Sequence, residues 1–149
     1  MPQTGKSENT IKFNYFMGGD LINIKYRDGR KNFKLFKGAE KVFYNIDSIV
    51  GYDTCVIVEG EMDVLAYHEA GITNVISVPN GATLNHNNLD YLDNCIDYFE
   101  DKEKIILAVD NDEPGQALQQ ELIRRLGAEV CFLATFEECK DANDYMIKF

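Results

Sequence analysis

Short apolar runs, spaced by helix-length segments after Tyr52, limit this chain more than any other feature. Runs 55–58, 74–78, 104–109 and 129–133 have the length of strands, and Ile105-Ile106-Leu107-Ala108-Val109 shows no alternation of apolar with polar residues. Strands that are apolar on both faces belong in a parallel sheet covered on both sides by helices. The segments between them, 62–70, 86–99 and 115–126, with a short one near 142–148, supply those helices. Gly71 and Gly127 stand where helices should stop. Pro114 falls near the first turn of the third helix, where its missing N–H costs least. The order predicts a βαβαβαβ unit over residues 51–149, with a Rossmann-like, mostly parallel four-stranded sheet.

Residues 1–50 follow another pattern. Segments 11–16, 21–27, 31–37 and 42–46 are short and rich in Ile, Tyr, Phe and Val. Asp28-Gly29 is a hairpin signal between the second and third, and Gly18-Gly19 and Gly38 break the others. The expectation is a small antiparallel β subdomain, with Lys25, Arg27, Arg30, Lys31, Lys34 and Lys37 around one hairpin. Charge divides at the same place. The first 50 residues hold nine Lys/Arg against five Asp/Glu, whereas 51–149 hold six against twenty, within a net charge of −10. A basic front can meet phosphates and an acidic body attracts cations.

Other classes are disfavoured. No apolar run approaches the ~20 residues of a membrane span, and the first ten residues are polar, without a secretion core. A cytoplasmic protein is expected. The cysteines, Cys55, Cys95, Cys131 and Cys139, form no CxxC pair, and neither His68 nor His86 lies near one, so neither a disulfide framework nor a zinc site is expected. Cys55 and Cys131 read as core thiols.

In open parallel sheets, ligands bind beyond the carboxyl ends of the strands. Three acidic groups fall there: Glu59-Gly60-Glu61-Met62-Asp63, Asp110-Asn111-Asp112-Glu113 and Asp141-Ala142-Asn143-Asp144. Crowded carboxylates repel, each pKa unit costing about 1.4 kcal/mol, so a cation should offset them. Mg²⁺ suits, being a hard ion that takes oxygen ligands. Glu59, Asp110 and Asp112 have no core role at strand ends and read as ligands. Glu61, Asp63 and Glu113 compete with a simpler assignment, as negative charges at helix N-termini. Asn143 and Asp144 could cap the final helix.

From Val56-Ile57-Val58-Glu59-Gly60 through Asp144, in order and at matching spacing, these residues resemble the Toprim family, the nucleotidyl-transfer and hydrolysis domain of primases, topoisomerases and some nucleases. Glu-Gly-Glu-Met-Asp-Val (59–64) with Val-Pro-Asn-Gly-Ala (78–82) is similar to primases. Asp-Glu-Pro-Gly (112–115) and Lys-Asp-Ala-Asn-Asp (140–144) are similar to the phage and mitochondrial helicase–primase branch. The resemblance implies a Toprim fold with metal ligation by Glu59, Asp110 and Asp112, support from Asp63 and Asp141, and Lys140 near phosphates. It also implies that the basic hairpin region grips template. Asn111 stands where bacterial primases often have Gly, and Asp144 where Glu is common. No zinc ribbon and no Walker A motif occurs, so a piece of a larger primase or helicase–primase, or a core served by partners, is expected.

The favoured expectation is a DNA primase core: Mg²⁺- or Mn²⁺-dependent RNA primer synthesis on single-stranded DNA from nucleoside triphosphates, beside a helicase domain or subunit, in a prokaryotic or phage-like replication machinery. Toprim-type nuclease action, or a non-catalytic module that binds Mg²⁺ or phosphate, are the alternatives.

Overall fold

The computed structural model describes residues 10–28, 33–35, 40–79 and 89–134. It opens with a three-stranded antiparallel sheet, ordered β1 (Thr10–Met17), β2 (Asp20–Asp28), β3 (Phe33–Leu35). Gly18 and Gly19 turn the first hairpin at φ 63° and 85°, where glycine carries no Cβ penalty. Both glycine N–H groups donate to the Asp47 carboxylate, at 2.8 and 3.0 Å, which ties that turn to the following segment.

The strand expected at 42–46 does not form. Tyr44 makes a single antiparallel bridge to Ser77, Asn45 turns into the left-handed region, and Ile46–Ile49 close as a 3-10 turn. The burial explains the difference: Val42, Phe43, Ile46 and Ile49 all point into the core, a helical rather than an alternating spacing.

The second sheet is wholly parallel and ordered β5-β4-β6-β7, from β4 (Thr54–Val58), β5 (Val75–Ser77), β6 (Lys104–Leu107) and β7 (Cys131–Leu133). Helix α1 (Glu61–Glu69) follows β4, and α3 (Glu113–Leu126) joins β6 to β7. The helix expected over 86–99 is shorter and broken: α2 (Asp90–Asn94) stops at Cys95 and a 3-10 turn follows at Ile96–Phe99. The helix expected near 142–148 lies outside the described residues.

One hydrophobic cluster takes Phe13 and Tyr15 from β1, Phe43 and Ile46 from the connecting turn, and Ile57, Ile76, Leu107, Leu118 and Leu122 from the parallel sheet and α3. Packing runs across the change from the antiparallel to the parallel sheet, since residues of both enter this cluster. Each such side chain, fully buried, is worth ~1.5–3 kcal/mol. Val56, Val58, Val64, Val75 and Ala108 form a second cluster, drawing on the alternate residues of β4. Cys55 is a core thiol as expected, whereas Cys131 is only partly buried. Among the described residues, no helix is long and apolar enough to cross a membrane.

The strand order fixes where a ligand can sit. From β4 the chain steps outward to β5, then crosses back to β6 on the other side of β4. The crevice beyond the carboxyl ends of β4 and β6 is therefore the topological switch point of this sheet.

Candidate functional site

Glu59 directly follows β4, and Asp110 lies just beyond β6, so the two residues flank that crevice. The backbone N–H of Asp110 donates a hydrogen bond to the Glu59 carboxylate. Glu59 is largely buried, and burial pushes its pKa up; the Asp110 hydrogen bonds oppose the rise, and the charges of Asp112 and Asp63 add to it. A carboxylate raised in this way is one that a cation would stabilise.

Asp112 is the N-cap of α3. Its Oδ1 accepts from the Gly115 N–H at 2.8 Å, and Pro114 occupies the first turn, where no N–H is needed. The expected ligand thus also has a structural task, one that the strand-end argument had not assigned to it. Glu113 is exposed in that turn, as a helix N-terminal charge should be. Gly115 is a site residue that the sequence reading missed. A Cβ there would overlap the backbone oxygen of Asp110 and lie 2.9 Å from its carbonyl carbon. Only glycine lets α3 start this close to the Asp110 backbone. Gly60, by contrast, is extended, and a Cβ on it would meet Asp63 Oδ2 at an ordinary 3.5 Å.

Asp63 is buried in the first turn of α1, where its N–H donates to the Gly60 carbonyl at 3.1 Å. Glu61 is buried beside it but is used differently. It accepts a hydrogen bond from the Tyr15 hydroxyl and pairs with Lys25 Nζ at 3.0 Å, and Lys25 also donates to the Pro79 carbonyl at 2.8 Å.

That arrangement corrects the expectation for Lys25. Period-two alternation along β1 turns Phe13 and Tyr15 inward, and the ladder pairs Phe13 with Lys25 and Tyr15 with Asn23. Lys25 is therefore buried on the inner face rather than displayed to a template. Arg27 is partly buried on β2, and Lys34 lies on β3 opposite Tyr26. Arg30, Lys31, Lys37, Lys140 and Asp141 lie outside the described residues.

The structure thus brings together Glu59, Asp63, Asp110 and Asp112. Their oxygen donors fit Mg²⁺. Among the described residues, no group of three or more His, Cys, Asp or Glu is placed to hold a metal ion.

Comparison with known proteins places the chain in a family. The Toprim-like family model matches residues 56–146. The chain is 39% identical to an Arabidopsis thaliana primase homolog protein, covering 94% of this chain and 47% of that protein. It is 36% identical to the Twinkle homolog protein, chloroplastic/mitochondrial, of the same plant, with 94% and 22% covered. The chain thus spans less than half the length of these relatives. The primase fragment of the bacteriophage T7 primase-helicase superposes with a TM-score of 0.79 at 28% identity, over 92% of this chain and 57% of that one. The Aquifex aeolicus primase, at 16% identity and a TM-score of 0.71 over 95% of this chain and 37% of that one, shares the fold.

Proposed function

The chain belongs to the Toprim-like family, and from that premise we propose that it is the catalytic core of a DNA primase, making RNA primers on a single-stranded DNA template. A primase-like Toprim domain related to primase and Twinkle homologs is what the comparisons give; the reaction itself is our reading. The observation that carries it is the junction of Glu59 and Asp110 at the switch point between β4 and β6.

In this reading Glu59, Asp110 and Asp112 hold Mg²⁺ or Mn²⁺, with Asp63 and Asp141 in support. The metal, when bound, neutralises triphosphate charge and acidifies the attacking 3′-hydroxyl. In the same reading Glu59 also serves as general base for that hydroxyl. Gly115 and the Asp112 cap keep α3 against the Asp110 backbone. Lys140 meets phosphate. Arg27, Arg30, Lys31, Lys34 and Lys37 hold template backbone, while Lys25 is buried and paired with Glu61. A helicase domain or subunit as neighbour is suggested by the T7 primase-helicase. The work would be done with the replication machinery, in the cytoplasm or in an organelle.

The test is ribonucleotide incorporation by the full-length protein on single-stranded DNA with Mg²⁺, run beside a nicking assay on supercoiled DNA. Incorporation supports the primase reading. Nicking without incorporation would replace it with the nuclease reading.

A further inference from the structure

The buried ion pair between Lys25 and Glu61 takes no part in the catalysis proposed above, and it joins three parts of the molecule. Lys25 comes from β2 of the antiparallel sheet, Glu61 from the first residue of α1, and the Pro79 carbonyl from the segment leaving β5. Tyr15, from β1, donates its hydroxyl to the same carboxylate and packs edge-on against Tyr44 at 5.2 Å. All three side chains are buried. An ion pair kept out of water adds little stability over an apolar core of the same volume. Glu61 sits two residues from Glu59 and two from Asp63.

We propose that Tyr15, Lys25 and Glu61 form a positioning unit, which clamps the start of α1 and the Pro79 segment against the antiparallel sheet and thereby sets the orientation of Glu59 and Asp63. Glu61 then belongs to this clamp and not to the metal site. Lys25 also cancels its charge, so that the acidic rim does not gain another negative group. The unit couples the sheet proposed to carry template to the crevice proposed to carry metal, and in that respect it rests on the primase reading.

Four variants of the full-length protein test the unit: Tyr15→Phe, Lys25→Met, Glu61→Gln and the double Lys25→Met/Glu61→Gln. Glu61→Gln should lower kcat for ribonucleotide incorporation about tenfold or more, while changing Mn²⁺ affinity, read by electron paramagnetic resonance, by less than about twofold. Lys25→Met should be the most damaging single change, because it strands a buried carboxylate, and Glu61→Gln should partly rescue it. A Mn²⁺ affinity that falls in Glu61→Gln as far as in Asp110→Asn would make Glu61 a ligand and overturn the proposal. So would additive effects in the double variant, or wild-type kcat in every single one.

Amide exchange keeps this test separate from the primase reading. In Lys25→Met, the amides of Asp63, Val64 and Val78, bonded to Gly60 and Val58 carbonyls, should lose protection while those within β6 keep theirs. A uniform loss across the sheet, or none, would contradict the clamp even in a protein that makes no primers. Absence of primer synthesis, with the local exchange pattern as expected, would overturn the primase reading and leave the clamp standing.

Discussion

The backbone N–H of Asp110 donates to the carboxylate of Glu59, joining the ends of two neighbouring parallel strands across 51 positions of sequence. This contact brings two acidic motifs onto one crevice. It also holds the Asp110 backbone in place as a surface for α3.

That surface tolerates only glycine. Replacing a helical glycine by alanine ordinarily gains ~0.5–1 kcal/mol. At Gly115 the added methyl would overlap the Asp110 carbonyl and stand 3.0 Å from Asp112 Oδ1. Gly115→Ala is expected to lose ~2–4 kcal/mol in urea unfolding, and to weaken Mn²⁺ binding beyond what stability accounts for. A neutral or stabilising effect would show that α3 can withdraw from Asp110 without cost.

The basic face gives a second prediction. Removing a phosphate contact should lower the log–log salt slope of single-stranded DNA binding by about 0.7. Arg27→Ala and Lys34→Ala should each do so. Lys25→Met should leave the slope unchanged, because the Lys25 ammonium is bonded to Glu61 and Pro79. A slope that falls with Lys25→Met but not with the other two would reverse the assignment.

The parallel sheet and its acidic rim were legible in the sequence because each has a local signature. The run from Ile105 to Val109 shows no apolar–polar alternation, its first part is the strand β6, and a carboxylate just beyond such a strand falls at the ligand-binding edge of the sheet. Lys25 was not legible. Along β2, Ile22, Ile24 and Tyr26 alternate with Asn23 and Lys25, and hydropathy alone points the apolar set inward. The ladder with Phe13 and Tyr15 turns the polar set inward instead. Asn23 is satisfied there by the Ile24 N–H and the Glu40 carbonyl, and Lys25 by Glu61, contacts that are distant or backbone-made. Gly115 was visible as part of a motif, but its reason is a close approach to a backbone that only the fold supplies.

Cys55 offers a test of the core beneath the site. Burial pushes its thiol up to about 12, with the nearby Lys102 charge opposing. The thiol should therefore stay protonated and unreactive in the folded protein at pH 8, and iodoacetamide should label the Cys55 peptide only on unfolding. An unfolded Cys55 ionises near 9 and a folded one near 12, so the folded state holds the proton longer. Stability is intact below about 9 and falls as pH rises towards 12. Cys55→Val should flatten that alkaline loss. Rapid native labelling at pH 8 would mean that β4 is open to solvent.

The central claim is that Glu59 and Asp110 act together in metal-dependent nucleotidyl transfer. The most direct measurement is ribonucleotide incorporation on single-stranded DNA by full-length Glu59→Gln and Asp110→Asn, with template affinity and thermal melting recorded on the same samples. Both changes keep shape and remove charge. The account predicts a loss of at least ~10²-fold in incorporation, with template affinity and folding retained. Incorporation that persists at the wild-type rate in either variant, in a protein that folds and binds template normally, would contradict it.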